Sequence, residues 1–275
     1  MSLKTISLFL LVLFSYIQSG YAAVYSPISS VPISITSSGS YCLTENLIYS
    51  ETTGTAITIN ANDVVLDLNG WSIRGRHHGR TSLAGGASRA ISVTGNAIII
   101  KDIHFFDNTW WAINVEGENV LIKNNKITVD GRLDTNNSDY AASGINLSCN
   151  SNTGRGNRVS GNTITNIFPK VNPLYPDRYL SHYGIQVSGC SDTIIDNNYI
   201  SGGIEYSEGN TVGYCNIGIY VRYGRVTITQ NTINNFYRAL YFYNSQTSVY
   251  INNIANHIGV VPNGAIDGGN NYIFY

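Results

Sequence analysis

The stretch GIQVSGCSDTIIDNNYISGG, residues 184–203, opens with a small residue, places apolar residues two apart, and ends on an Asn two residues before an Ile. Its outline returns at 112–131 as AINVEGENVLIKNNKITVDG and at 218–236 as GIYVRYGRVTITQNTINNF. A repeat of this kind has to be read before any single residue, because the period decides the fold. Seven blocks align on an apolar anchor directly after Ala or Gly: Ile57, Ile91, Ile113, Ile145, Ile185, Ile219 and Leu240.

Two residues beyond each anchor stands a second apolar residue (Ile59, Val93, Val115, Leu147, Val187, Val221, Phe242), the period of a strand with one buried face. A second apolar pair follows, as at Val120 and Ile122. Then an Asn precedes a third apolar position by two residues: Asn125, Asn162, Asn198, Asn231 and Asn252 stand before Ile127, Ile164, Ile200, Ile233 and Ile254. Three short strands per turn of about 22 residues predict an all-β fold, a right-handed parallel β-helix of about 7 to 9 coils with an Asn ladder at one turn. Stacked Asn side chains pass amide hydrogen bonds from coil to coil, so the Asn row reads as structural. A leucine-rich repeat lacks support because its leucine pattern is missing. A two-sheet sandwich would not keep a small residue at one corner.

Composition agrees. Few segments carry the Ala, Leu, Glu and Lys that favour helices. Only 12% of residues are charged and the net charge is -1, so no basic face exists for nucleic acid. Lys4 followed by an apolar run that ends near SGYAA predicts a cleaved signal peptide over 1–22 and a secreted chain: extracellular, periplasmic or at the cell surface. That run is too short for a membrane span, which needs about 20 residues. Residues 23–55 are read as an N-terminal cap and first partial coil, 56–255 as coils, and 256–275 as a C-terminal coil or cap. Export permits disulfides among Cys42, Cys149, Cys190 and Cys215. Cys149 and Cys190 follow their anchors by four and five residues in successive coils, so they can pair across the turn, or one can stand as a buried thiol.

AITINANDVVLDLNGWSIRG (56–75), the bends NNKI, GNTI, DNNYI and QNTI, and the terminal IDGGNNY resemble the right-handed β-helix repeat proteins of the pectate-lyase-like superfamily. The resemblance spans roughly residues 40–272. It implies the fold directly. For activity it implies only a range, from polysaccharide lyases, galacturonan hydrolases and uronate epimerases to phage tailspikes and members without a known reaction.

A β-helix accepts insertions only at its turns, so varying lengths mark the elaborated edge. Four crossings from third strand to next anchor are long: Ile73 to Ile91, Ile127 to Ile145, Ile164 to Ile185 and Ile200 to Ile219. All leave from one corner and form a wall, with a notch at the short crossing that holds Trp110 and Trp111. Beside the wall, the outward side chains of the anchor strands predict a polar groove that includes Asn114, Glu116, Asn146, Gln186, Tyr220 and Arg222. Loop residues Asp139, Tyr140, His182, Tyr183 and Glu205 face it. Tyrosines with mixed charge suit an extended carbohydrate, whose rings stack on aromatics and whose carboxylates pair with Arg. Trp110, Trp111, Asn114, Asn146, Tyr140, Tyr183, Gln186, Glu205 and Tyr220 are the candidate glycan contacts.

Lyases and epimerases of uronates need a base, an acid and a group that neutralises a carboxylate. Glu116, Asp139, His182 and Arg222 are the candidate catalytic residues. Glycoside hydrolysis would need two carboxylates at defined separation. The Gly-His-Gly and Arg-Ile-Lys motifs of galacturonan hydrolases and the Asp-Pro-His-Glu motif of epimerases are missing. The wall of loops beside a polar groove leads us to expect a lyase or epimerase on an acidic glycan; the alternative, which the missing motifs favour, is a non-catalytic module that binds glycan or a protein partner. No ligand spacing for a resident metal is found; the oxygen-rich DTNNSD at 134–139 can take Ca²⁺, though such residues also form ordinary turns. A monomer is expected.

Overall fold

The computed structural model describes residues 24–51, 54–75, 88–106, 111–129, 143–149, 154–167, 170–172, 175–180, 182–202, 216–245, 247–256, 260–261 and 265–274. Among them are no helices, and three parallel sheets of ten, nine and nine strands form the sides of a right-handed prism. The anchor sheet runs through Gly54–Ile59, Ser88–Val93, Trp111–Val115, Ser143–Ser148, His182–Ser188, Asn216–Arg222 and Arg238–Tyr243. Ile33–Ile35 and Val260–Val261 extend it at its two ends. The second sheet passes through Val64–Asp67 and Thr193–Asp196, the third through Ser72–Gly75 and Tyr199–Gly202.

The anchors stack in register. Ile57 lies beside Ile91, Ile91 beside Ile113, and the row continues through Ile145, Ile185, Ile219 and Leu240. All are buried, with Val64, Leu66, Ile100, Ile122, Ile195 and Ile228 of the second sheet and Ile73, Phe105, Ile127, Ile164, Ile200 and Ile233 of the third. The small residue before each anchor has a steric cause. A Cβ on Gly218 would lie 2.4 Å from Cγ2 of Ile233 and 2.6 Å from the carbonyl oxygen of Ala239.

The Asn ladder occupies the turn between second and third sheets. Asn125, Asn162, Asn198 and Asn231 each donate a backbone and a side-chain N–H to Oδ1 of the ladder residue in the next coil, at 2.9–3.0 Å. The residue before each takes the left-handed conformation: Asn124, Gly161, Asn197 and Gln230, with φ of 55, 66, 55 and 57°. This divides the labour inside NN: the first Asn turns the chain and the second laddered amide satisfies it.

One coil corrects the sequence register. Its ladder residue is Asn253, which continues to Asn271, while Asn252 is the left-handed turn residue. Ala255, not Ile254, therefore pairs with Ile233; Ala255 is 4% exposed and Ile254 41%. Adjacent Asn residues made two alignments equally readable, and Ile looks like the better core residue until the turn is counted.

Cys149 and Cys190 form a disulfide across successive coils. Cys42 is a free thiol, and Cys215 lies outside the described residues.

Candidate functional site

The segments 76–87, 130–142, 168–181 and 203–215 all join the third sheet to the anchor sheet. Within the third of them, Lys170–Asn172 and Tyr175–Leu180 pair as an antiparallel hairpin. The surface beside this corner is the outer side of the anchor sheet. Strand alternation gives it two main rows. One carries Thr58, Ser92, Asn114, Asn146, Gln186, Tyr220 and Tyr241. The other ends in Ser148, Ser188, Arg222 and Tyr243.

The character of the surface changes along the axis. In the middle coils Asn114 and Asn146 are buried, and Nδ2 of Asn146 donates to Oδ1 of Asn114 at 2.7 Å. Nδ2 of Asn114 donates in turn to Oε1 of Glu116 at 3.3 Å. Oγ of Ser143 and Oδ1 of Asn146 are buried without a hydrogen-bond partner among the described residues. Toward the C-terminal coils the same rows turn aromatic and cationic. Tyr183 and Tyr220 stack at 5.1 Å between centroids and 16° between planes; Tyr220 and Tyr241 stack at 5.4 Å and 12°. Arg222 sets its guanidinium 4.9 Å from the Tyr223 ring centroid and 5.9 Å from that of Tyr243, and these two rings meet edge to face at 5.5 Å. Arg238 lies 4.6 Å from the Tyr241 ring and 5.7 Å from that of Tyr237.

The electrostatics follow from this packing. Burial, reinforced by Tyr183, pushes the Tyr220 phenol up to about 12. The Arg222 guanidinium beside Tyr223 holds that phenol below its usual range, and the same proximity raises Arg222. Arg225, nearby in sequence, is instead paired with Asp192. Arg222 has no carboxylate within ion-pair distance among the described residues.

The sequence-predicted residues fall out unevenly. Tyr183, Gln186 and Tyr220 are half-buried on the anchor sheet, and Trp111 stands there too, with the Arg89 guanidinium 5.2 Å from its ring. His182 is the first residue of a strand and is buried, not a member of the loop wall. Glu116 and Arg222 are both exposed but three coils apart, about 14 Å at one strand spacing per coil. They do not act on one atom together. Trp110, Asp139, Tyr140, Glu205 and the 134–139 segment lie outside the described residues. Among the described residues no group of three His, Cys, Asp or Glu side chains is placed to hold a metal ion. Sequence reasoning passed over Tyr223 and Arg238. The signal was GIYVRYGR, where an aromatic stands at a corner that the other coils give to Gly, Asn, Ala or Cys.

No protein-family model matches the chain, and no curated protein matches it in sequence. Solved structures do. Pectate lyase Pel9A aligns with a TM-score of 0.54 at 14% identity, over 86% of this chain and 59% of its own. The Dettilon tailspike protein aligns at 0.47 and 12% identity over 90% and 60%. The A-module of the mannuronan C-5 epimerase AlgE4 of Azotobacter vinelandii aligns at 0.30 and 15%, over 90% of each chain. The chain spans about three fifths of the length of the first two. No helix among the described residues is long and apolar enough to cross a membrane. Stacked parallel coils, a laddered Asn turn and the likeness to Pel9A together make this chain a right-handed parallel β-helix of the pectate-lyase-like fold.

Proposed function

We propose that the protein is an extracellular β-helix that binds an extended acidic glycan along the outer side of its anchor sheet, with the C-terminal coils holding the anionic groups. The observation that carries this reading is Arg222. Its guanidinium is exposed, held against two tyrosine rings, and free of any carboxylate partner among the described residues. A positioned guanidinium of this kind suits a glycan carboxylate, which it can bind through two parallel hydrogen bonds. The likeness to pectate lyase Pel9A supports the fold that such sites use, and the Cys149–Cys190 disulfide fits an oxidising compartment.

The stacked tyrosines contribute differently from a carbohydrate platform. The ring faces of Tyr183, Tyr220 and Tyr241 are turned on one another, so the stack offers ring edges and hydroxyls. Hydrogen bonding to sugar hydroxyls is what such an edge can do.

A second reading, a polysaccharide lyase or uronate epimerase, is favoured by the contact of the Arg222 guanidinium with Tyr223. A phenol held below its usual range beside a cation can take the proton next to a uronate carboxylate that the cation neutralises. Gel electrophoresis through embedded polygalacturonate, alginate or a neutral glucan tests the first reading. Retardation by the acidic polymers alone, lost in Arg222→Ala, is expected; equal migration in all gels sinks it. Appearance of unsaturated or epimerised uronate in the same mixtures separates enzyme from binding module.

A further inference from the structure

At the corner that follows the anchor strand, three successive coils place Gly189, Tyr223 and Asn244, with φ of 70, 53 and 51°. In these three coils, though not at the equivalent Ala61, Gly95 and Gly117, the corner calls for a left-handed residue, and hydrogen bonds to neighbouring coils hold the backbone there. Gly189 N–H donates to the Arg222 carbonyl at 2.8 Å and Tyr223 N–H to the Tyr243 carbonyl at 3.0 Å. Gly and Asn meet that demand at little steric cost, whereas the Cβ of a bulky residue crowds its own carbonyl. All other non-glycine residues described in this conformation are Asn or Asp, apart from Ala97 and Gln230. Tyr223 is the one aromatic among them.

Burial does not compensate. Tyr223 is 46% exposed, so little core packing offsets the strain. Its ring meets the Arg222 guanidinium at 4.9 Å and the Tyr243 ring edge to face. A long exposed Arg side chain otherwise samples many rotamers, and fixing it lowers the entropy lost when an anion binds. Strain kept at an exposed residue, with a cation as its chief contact, points to a role outside folding.

We infer that Tyr223 is a recognition residue: from a backbone conformation unfavourable for tyrosine it fixes the Arg222 guanidinium and presents its ring to an anionic pyranose. The inference rests on the reading of the anchor sheet as an acidic-glycan site. The fold is better served by Asn at 223, so stability and affinity move in opposite directions when Tyr223 is replaced. A residue present for folding would lower both.

The experiment compares wild type, Tyr223→Asn, Tyr223→Phe and Arg222→Ala by thermal unfolding and by calorimetric titration with oligogalacturonate and oligomannuronate. Tyr223→Asn is expected to raise Tm by about 2–4 °C and to weaken binding by about 10-fold or more. Tyr223→Phe keeps the strain and the ring, so it leaves Tm unchanged and weakens binding less. A lower Tm in Tyr223→Asn, or wild-type binding that this variant retains in full, overturns the role of Tyr223 and leaves the glycan site standing. No binding of either oligosaccharide by wild type overturns the acidic-glycan reading itself, whatever the Tm values.

Discussion

Tyr220 and Tyr241 lie ring over ring in successive coils, 5.4 Å apart and within 12° of parallel. Registered strands place equivalent side chains one strand spacing apart, close enough for offset stacking. The arrangement gives the C-terminal coils a rigid aromatic edge next to Arg222. It also makes Tyr220 a sensitive reporter, because both of its faces are covered by neighbouring rings.

Its phenol is pushed up to about 12, above the ordinary value near 10, first by burial and then by Tyr183. A folded-state pKa above the unfolded one means that the unfolded chain loses this proton first. The contribution of Tyr220 is therefore complete below about pH 10 and is lost as pH rises toward about 12. Thermal unfolding between these limits should show a decline that Tyr220→Phe reduces; an unaltered decline in the variant would remove Tyr220 as its source.

Asn198 serves as the test of the ladder. Its Oδ1 accepts both N–H groups of Asn162 at 2.9 Å, and its Nδ2 donates to the carbonyls of Val159 and Asp196 at 2.9 and 3.0 Å. Asn198→Ala strands buried donors and acceptors in two coils and is expected to cost about 3 kcal/mol in denaturant unfolding. In the shifted coil, Asn253→Ala should destabilise clearly while Asn252→Gly should be nearly neutral, since Asn252 supplies only a left-handed turn. Equal losses at the two positions would restore the other register.

Removing the Cys149–Cys190 disulfide frees a loop of 41 residues of sequence separation. Chain-entropy reasoning puts the loss at about 3–4 kcal/mol for Cys149→Ala with Cys190→Ala. The measure is the difference in unfolding midpoint between the double variant and wild type. A shift below about 1 kcal/mol would mean that the Asn ladder and stacked core hold these coils without the crosslink.

Asp196 tests the charged part of the second sheet. Burial raises its carboxyl pKa, but hydrogen bonds from Arg158, Asn197 and Ser160 outweigh this and hold it below the usual carboxylate range. A lowered folded pKa makes the stabilisation full above the unfolded value near 4 and lost as pH falls through the folded one. Arg158 is half exposed, which screens the Coulombic share. Asp196→Asn is expected to cost about 1–3 kcal/mol at neutral pH and to flatten the loss of stability below pH 4; an unchanged acid profile would contradict it.

Much of the fold was legible because a β-helix is periodic. Ile113, Ile145, Ile185 and Ile219 had to stack if the repeat was real, and they do. Legibility failed at Asn252 and Asn253, where two identical side chains competed for one ladder position and only backbone conformation separates them. For the site, residue types were readable but proximity was not. Glu116 and Arg222 occupy the same kind of surface, yet three coils intervene. His182 reads as a loop residue but begins a strand and is buried.

Coil length, the inward apolar rows and the small residue before each anchor are dictated by the chain itself, since each depends on spacing and size that any one block already displays. Which tyrosines turn their faces on one another, which Arg lacks an acid beside it, and that Tyr223 bears a left-handed backbone were decided only in three dimensions. The physical reason is that stacking, ion pairing and corner strain join residues some 20 to 40 positions apart, through a register that exists only once the coils lie on one another.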